Sequence, residues 1–362
     1  MHHVLLASEF GARHPVGTTS RYRREAHGGA VMDSLRSREI EAYEIEFLAS
    51  FLSDGLGETP KFYAEILYQL ARRTAPSRYP RFGYVLESDW GIVGAILLIF
   101  SEVYANGEII MRCHVTSWYV KPEFRTFAAV FFARALKDKN VTYINISARP
   151  AASKIIEAQG FKLYSAGQFI APTFLNINRR RRAATAKVPP FPKEIELRMD
   201  PRERALLDAH ASFGCLVFCC SIGERAYPFV FQRRWLKGLI PVVQLIYCRG
   251  IDELVSCMPE VARFLSAKGV FAIRIDANAR IDGVKGRYYE GVQRRWFKGE
   301  NAPRLGDLAY TQAVLTRYPR YPRPRREHVV ARSANSKNVT SRLTGAVVGR
   351  DLRSRSDFRA SD

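Results

Sequence analysis

The chain of 362 residues lacks any apolar run long enough to cross a membrane as a helix, which takes roughly 18 or more such residues. Phe127 to Ala133 is among its longest unbroken runs, and it makes only about two helical turns. Toward the N-terminus only Val4 to Ala7 forms an apolar stretch, so neither a secretory signal nor a membrane span is expected. A cytoplasmic location is the default these absences leave. Cysteine is sparse: the six, at 113, 215, 219, 220, 248 and 257, form no Cys-x-x-Cys pair and have no histidine at ligand spacing. Buried reduced thiols are expected, and no metal. Also missing are a Gly-x-Ser-x-Gly elbow, a phosphate loop ending in Gly-Lys-Ser/Thr and a dinucleotide fingerprint, which removes support for hydrolase, nucleotidase and dehydrogenase chemistry. Acids are few, 35 against 56 Lys and Arg, for a net charge of +21. Thirteen of those excess charges lie between Arg179 and Lys193 and from Arg320 to Asp362. Such runs permit nonspecific polyanion contact or form a solvated linker and tail; Tyr321 and Phe358 are the tail's only aromatics, too few for a stacking platform.

What is present divides the chain into five parts: a disordered extension over 1–35 (with Met32 an alternative start), a first domain over 36–176, a basic Pro-containing linker over 177–194, a second domain over 195–318, and a disordered basic tail over 319–362. In the first domain, apolar spacing predicts amphipathic helices over Tyr43 to Ser53 and Pro60 to Arg73. Hairpin signals follow at Ser88-Asp89 and Asn106-Gly107. The β-branched and aromatic run Met111 to Val120 predicts a strand that Lys121-Pro122 ends. A helix from Phe127 to about Lys137 comes next, with Thr126 as its N-cap, then a strand over Val141 to Ser147 and a short helix over Ala151 to Gln159 that Gly160 closes. The second domain repeats this order: helix Pro201 to Ser212, three strands ending near Cys248, an amphipathic helix over Asp252 to Lys268, and a strand over Val270 to Ile275. It reads as a degenerate second copy that binds no cofactor. Gln232-Arg-Arg-Trp-Leu-Lys-Gly238 and Gln293-Arg-Arg-Trp-Phe-Lys-Gly299 match at six of seven positions. They are either two strand ends forming an anion groove or a chance similarity.

Val120-Lys-Pro122, Arg125-Thr-Phe-Ala128-Ala-Val130, Arg149-Pro-Ala-Ala152 and Gly160-Phe161 together resemble the motifs of the GNAT superfamily of acyl-CoA-dependent N-acyltransferases, over roughly Ile40 to Leu175. The resemblance implies an α/β (α+β) fold of two GNAT-like domains, each a mixed, mostly antiparallel sheet flanked by helices. It implies acetyl-CoA or another acyl-CoA as co-substrate and an amine acceptor that attacks directly. By the same resemblance the backbone at Tyr119 and Val120 contacts thioester and pantetheine, and Arg125 with the amides of Thr126, Phe127, Ala128, Ala129 and Val130 contacts the pyrophosphate. The sequence departs from the family pattern where Ala128 and Val130 replace loop glycines and Ile156 replaces a tyrosine acid. His114 is the candidate base, because it precedes Val120 on the same strand and imidazole titrates near neutrality. The alternative is a partly buried histidine bonded to the backbone. Two functions stay open: N-acyl transfer, or a non-catalytic binding scaffold that uses its basic surfaces.

Overall fold

The computed structural model describes residues 20–26, 29–105, 108–148, 152–178, 184–236 and 238–315. The tail from 319, residues 1–19, the Asn106-Gly107 turn, Arg149 and the arginines at 179–182 lie outside them. Where a structureless extension was expected, β1 (Ser20–Ala26) and β2 (Gly29–Glu39) form an antiparallel pair. Helices α1 (Ile45–Leu56) and α2 (Pro60–Arg72) follow. The Thr59 hydroxyl accepts from Phe62 N–H and Pro60 fills the first turn, where a missing N–H costs nothing. Next come β3 (Gly83–Ser88), β4 (Gly91–Ala105) and β5 (Glu108–Val120), an antiparallel meander. A 3₁₀ segment over Pro122–Phe127 leads into α3 (Ala128–Ala135), then β6 (Val141–Asn145), α4 (Ser153–Ala158), β7 (Lys162–Pro172) and α5 (Thr173–Asn176).

The second half holds β8 (Ala184–Lys187), α6 (Lys193–Glu196), α7 (Pro201–Ser212), β9 (Leu216–Ile222), β10 (Arg225–Leu236), β11 (Ile240–Tyr247), α8 (Ile251–Ala267), β12 (Ala272–Ala277), β13 (Arg287–Lys298) and α9 (Gln312–Leu315). Its pairings repeat those of the first: β8, β9, β10 and β11 pair antiparallel in turn and β11 pairs parallel with β12, as β2, β3, β4 and β5 do before β5 pairs parallel with β6.

The two halves exchange their last strands. β13 lies between β6 and β7, while β7 continues on its other side into β12, so all 13 described strands form one sheet. The expected pair of separately cored domains is therefore replaced by a continuous sheet with shared packing. The physical reason is the strand edge: without β13, β6 would present unpaired N–H and C=O groups, and without β7 so would β12. One apolar cluster draws Leu48, Leu52, Ile66 and Leu70 of α1 and α2 together with Leu207 of α7, Val217 of β9 and Ile246 of β11. On the opposite face α3 packs over the first half, with Phe131 and Phe132, and α8 over the second, with Leu254, Met258, Val261 and Leu265. Among the described residues no helix is long and apolar enough to cross a membrane.

Candidate active site

Alternation along β5 decides what each side chain faces. Cys113 and Val115 pack with Phe131 and Phe132 of α3, so Arg112, His114 and Thr116 point to the other face, beneath α1, α2 and α7. Ser117 breaks the alternation. Its φ of +49° and a register shift opposite Ala95 to Leu97 mark a bulge, after which Trp118 lies on the α3 side, 4.6 Å from the Phe132 ring. The Tyr119 ring returns to the first face, 5.2 Å from Phe51, and it covers Gly55 so closely that a Cβ there would overlap it.

β5 and β6 are paired only from Met111↔Val141 to His114↔Ile144. Beyond that point β5 stays with β4 as far as Val120, while β6 pairs with β13 at Asn145 and ends. The two parallel strands thus part at their C-terminal ends, beside the start of α3. Trp118 Nε1–H is buried there and has no hydrogen-bond partner among the described residues.

Most of the residues the sequence singled out gather at this opening. Val120 is buried against α3, and Tyr119 is half-buried under α1. Arg125, Thr126, Ala129 and Val130 are exposed, with Phe127 and Ala128 partly so. Val130, which replaces a glycine, turns its side chain outward. Thr126 is not the N-cap: the preceding turn is 3₁₀, α3 begins at Ala128, and no side chain caps it. Ile156 is buried in the α3-side core and offers no proton.

His114 departs from its expected role. It is 1% exposed, and Gln312 N–H donates to its Nδ1 at 3.1 Å, which places the ring proton on Nε2. Burial first, then the positive charges of Arg295 and Arg112, push its pKa down to about 3. A general base needs a free lone pair and a pKa near the working pH, and this imidazole has neither. Both features weigh against His114 as the base that the sequence suggested.

What holds it is a segment the sequence did not reveal. Residues Gly306 to Leu315 cross the face of β5 as a strap. Asp307 takes a bidentate contact from Arg112 (3.0 and 3.2 Å), and Ala309 O accepts from the same guanidinium at 2.9 Å. Thr116 donates to the Gln312 side chain, Arg234 donates to Ala313 O, and Tyr310 N–H donates to His210 Nε2. The strap has no long apolar period; its only sequence signal is Leu308-Ala309 and Val314-Leu315, which enter the shared core.

A second polar group spans the exchanged strands. Arg295 of β13 reaches past β7 to Asp276 of β12 (2.9 and 3.2 Å) and also donates to Ile146 O. Gln168 joins Asp276 and Gln244. This overturns the anion-groove reading of the repeated Gln-Arg-Arg-Trp segments. Arg234 and Arg295, their matching third residues, are buried and turned inward, and β10 and β13 are separated by three strands.

A cavity of about 560 Å³ lies between the β4–β5 strand ends, α7 and the end of β11, lined by Tyr104, Arg202, Glu203, Tyr247, Arg249 and Arg304 among others. Glu203 binds Arg249 in two contacts of 2.9 and 2.6 Å and accepts from the Tyr247 hydroxyl. The first turn of α8 carries Asp252 and Glu253, which repel a phosphate.

No protein-family model and no curated protein sequence matches this chain. Among solved structures it is similar to a GCN5-related N-acetyltransferase from Anabaena variabilis, with 10% identity over 73% of this chain and 72% of that one and a TM-score of 0.48. It is also similar to a GCN5-related N-acetyltransferase from Kribbella flavida (13% identity, 73% and 71% covered, TM-score 0.46) and to a probable N-acyltransferase from Enterococcus faecalis (12%, 76% and 74%, TM-score 0.49). At identities this low the chemistry rests on the residues themselves.

Proposed function

We propose that the chain is an acyl-CoA-dependent N-acyltransferase whose co-substrate binds at the parting of β5 and β6. The observation that carries this reading is the divergence beyond His114, set against a bulged strand on one side and the start of α3 on the other. The β6-side edge of β5 from Val115 to Val120, whose other edge is paired with β4, gives an extended thioester chain hydrogen-bond partners, and Trp118 Nε1–H adds a donor. Arg125 is exposed in the turn before α3, where its charge and the helix N-terminus favour a pyrophosphate. Outward-turned Val130 leaves the small Ala128 as the only side chain in place of a loop glycine near those amides. A bound acyl-CoA supplies the activated carbonyl. A neutral amine acceptor would then attack that carbonyl without help from His114: the N–C bond forms as the C–S bond breaks, the amine's proton passes to water, and CoA leaves as a thiolate that takes its proton from solvent.

The second reading, a non-catalytic binder, is favoured by His114's engaged Nδ1 and by the buried Ile156 in place of an acid. Titration calorimetry with acetyl-CoA and longer acyl-CoAs tests the first. Binding weakened about tenfold or more by Arg125→Ala is expected, for the loss of one charge-assisted contact. Absence of heat with every acyl-CoA overturns the site. Binding with no acyl transfer to a panel of primary amines, followed by mass spectrometry, moves the reading to the binder.

A further inference from the structure

Six exposed large apolar side chains gather along one rim of the second half. Leu236 and Ile240 are cross-strand partners at the end of the β10–β11 hairpin, and Leu239 lies in its turn. Phe271 N–H donates to Pro241 O at 2.9 Å, and Phe271 O accepts from Thr173 N–H at 2.9 Å, so Phe174 and Leu175 of α5 continue the row. Leu239 is 70% exposed, Phe174 65% and Phe271 56%. Single exposed apolar residues are ordinary, but a run of six on adjoining strand ends marks a contact surface.

The surroundings indicate what it contacts. Lys268, at the end of α8, and Lys285, whose backbone makes two 2.8 Å hydrogen bonds with the Asn176 side chain, are both exposed beside the row. Arg263 holds Asn178 O at 2.9 Å. Apolar anchors ringed by cations suit the boundary of a bilayer with anionic headgroups, where the side chains enter the acyl region and the lysines stay at the phosphates. A second copy of the chain fits poorly, because each copy carries a net charge of +21 and repels the other. Nucleic acid fits poorly too, since four of the six anchors are aliphatic and give bases nothing to stack on.

We propose that this rim, formed by Leu236, Leu239, Ile240, Phe271, Phe174 and Leu175, docks the protein on an anionic lipid surface. The inference is independent of the acyl-transfer reading. The test is co-sedimentation of the full chain with sucrose-loaded vesicles of phosphatidylcholine alone, and of phosphatidylcholine mixed with phosphatidylglycerol. Binding to the mixed vesicles that weakens with salt is expected, and the triple variant Phe174→Ser, Leu239→Ser, Phe271→Ser lowers it by roughly a hundredfold. These side chains are solvent-exposed, so the variant keeps the wild-type melting temperature; Leu239→Glu alone, at the hairpin turn, provides a second check and lowers binding in the same direction. No sedimentation with the mixed vesicles overturns the proposal, and so does equal sedimentation of wild type and triple variant. Binding to single-stranded DNA without vesicle binding, or a dimer that the triple variant dissolves without vesicle binding, also overturns it and assigns the rim elsewhere.

Discussion

Two buried histidines give the chain a pH dependence that can be read residue by residue. His210 Nδ1–H donates to Leu206 O at 2.7 Å and its Nε2 accepts from Tyr310 N–H at 3.2 Å, so the neutral ring is fully bonded. Burial pushes its pKa down to about 4, as it pushes that of His114 to about 3. Both folded values lie below the unfolded one, so the unfolded chain takes up protons first as pH falls. Stability from these rings is whole above about pH 6.5 and is lost as pH drops toward the folded values. Each histidine is expected to cost about 2 kcal/mol between pH 7.5 and 5. Urea unfolding of wild type, His114→Gln and His210→Gln at both pH values checks this: each variant loses its share of the slope, and parallel slopes in all three proteins would disprove the assignment. Gly55 gives a second test at this scale. Glycine to alanine inside a helix normally stabilises by roughly 0.5–1 kcal/mol. Here the Tyr119 ring occupies the space of the new methyl, so Gly55→Ala is expected to destabilise by about 1–3 kcal/mol, and Gly55→Ala with Tyr119→Leu to recover most of it in thermal melts.

Among the elements, the strap is the one whose role the sequence hides. Helices with a clear apolar stripe or a strong start signal were legible to within a residue or two: periodicity with Pro60 places α2, periodicity with the acids at 252 and 253 places α8, and Asp200-Pro201 places α7. The strand-to-helix turn after Val120 was legible as well, because Pro122 forces an end to β5. Thr126 failed as a cap since a 3₁₀ turn takes up the residues before Ala128, a choice between turn types that local composition does not decide. The bonded state of His114 was hidden for a different reason. Its partner Gln312 lies 198 residues away, and no spacing rule links the two. The strap is held chiefly by charge at its start. Burial alone would raise the pKa of Asp307, but Arg112 and Arg304 outweigh it and keep the carboxyl below its usual range. Arg112→Ala leaves a buried carboxylate with Arg304 at 3.8 Å and the Ala309 N–H at 3.3 Å and is expected to cost about 3–5 kcal/mol in denaturant unfolding, while Arg36→Ala, at an exposed ion pair, costs about 1 kcal/mol or less. Similar losses in the two variants would mean the strap is not anchored through Asp307.

For the whole molecule, the exchange of β7 and β13 decides which parts can exist alone. The order of elements from α1 to α4 and from α7 to β12 was legible from periodicity, whereas β1, β2, β8, β13 and α9 were not. That the two halves share one sheet was not legible either, because strand partners 100 to 155 residues apart leave no local trace. Phe297 pairs with Ile144 on one side and Lys162 on the other, and β13 is the only described neighbour of β6 on that side. A fragment ending at Pro192 keeps every element of the first half but loses β13, the Arg295–Asp276 pair and the strap over His114. It would expose the edges of β6 and β7 and an uncovered band of Arg112, His114 and Thr116, each without its partner. Such a fragment is expected to fail to fold alone, giving no cooperative melt and poor amide protection in hydrogen exchange. Produced together with a fragment from Lys193 onward, it should form a complex that co-purifies and restores a single cooperative transition, since the two chains rebuild β6·β13·β7·β12 between them. A first-half fragment that melts cooperatively by itself, with the same protected strands as in the full chain, would show instead that each half is complete and that the shared sheet is a docking of two finished domains.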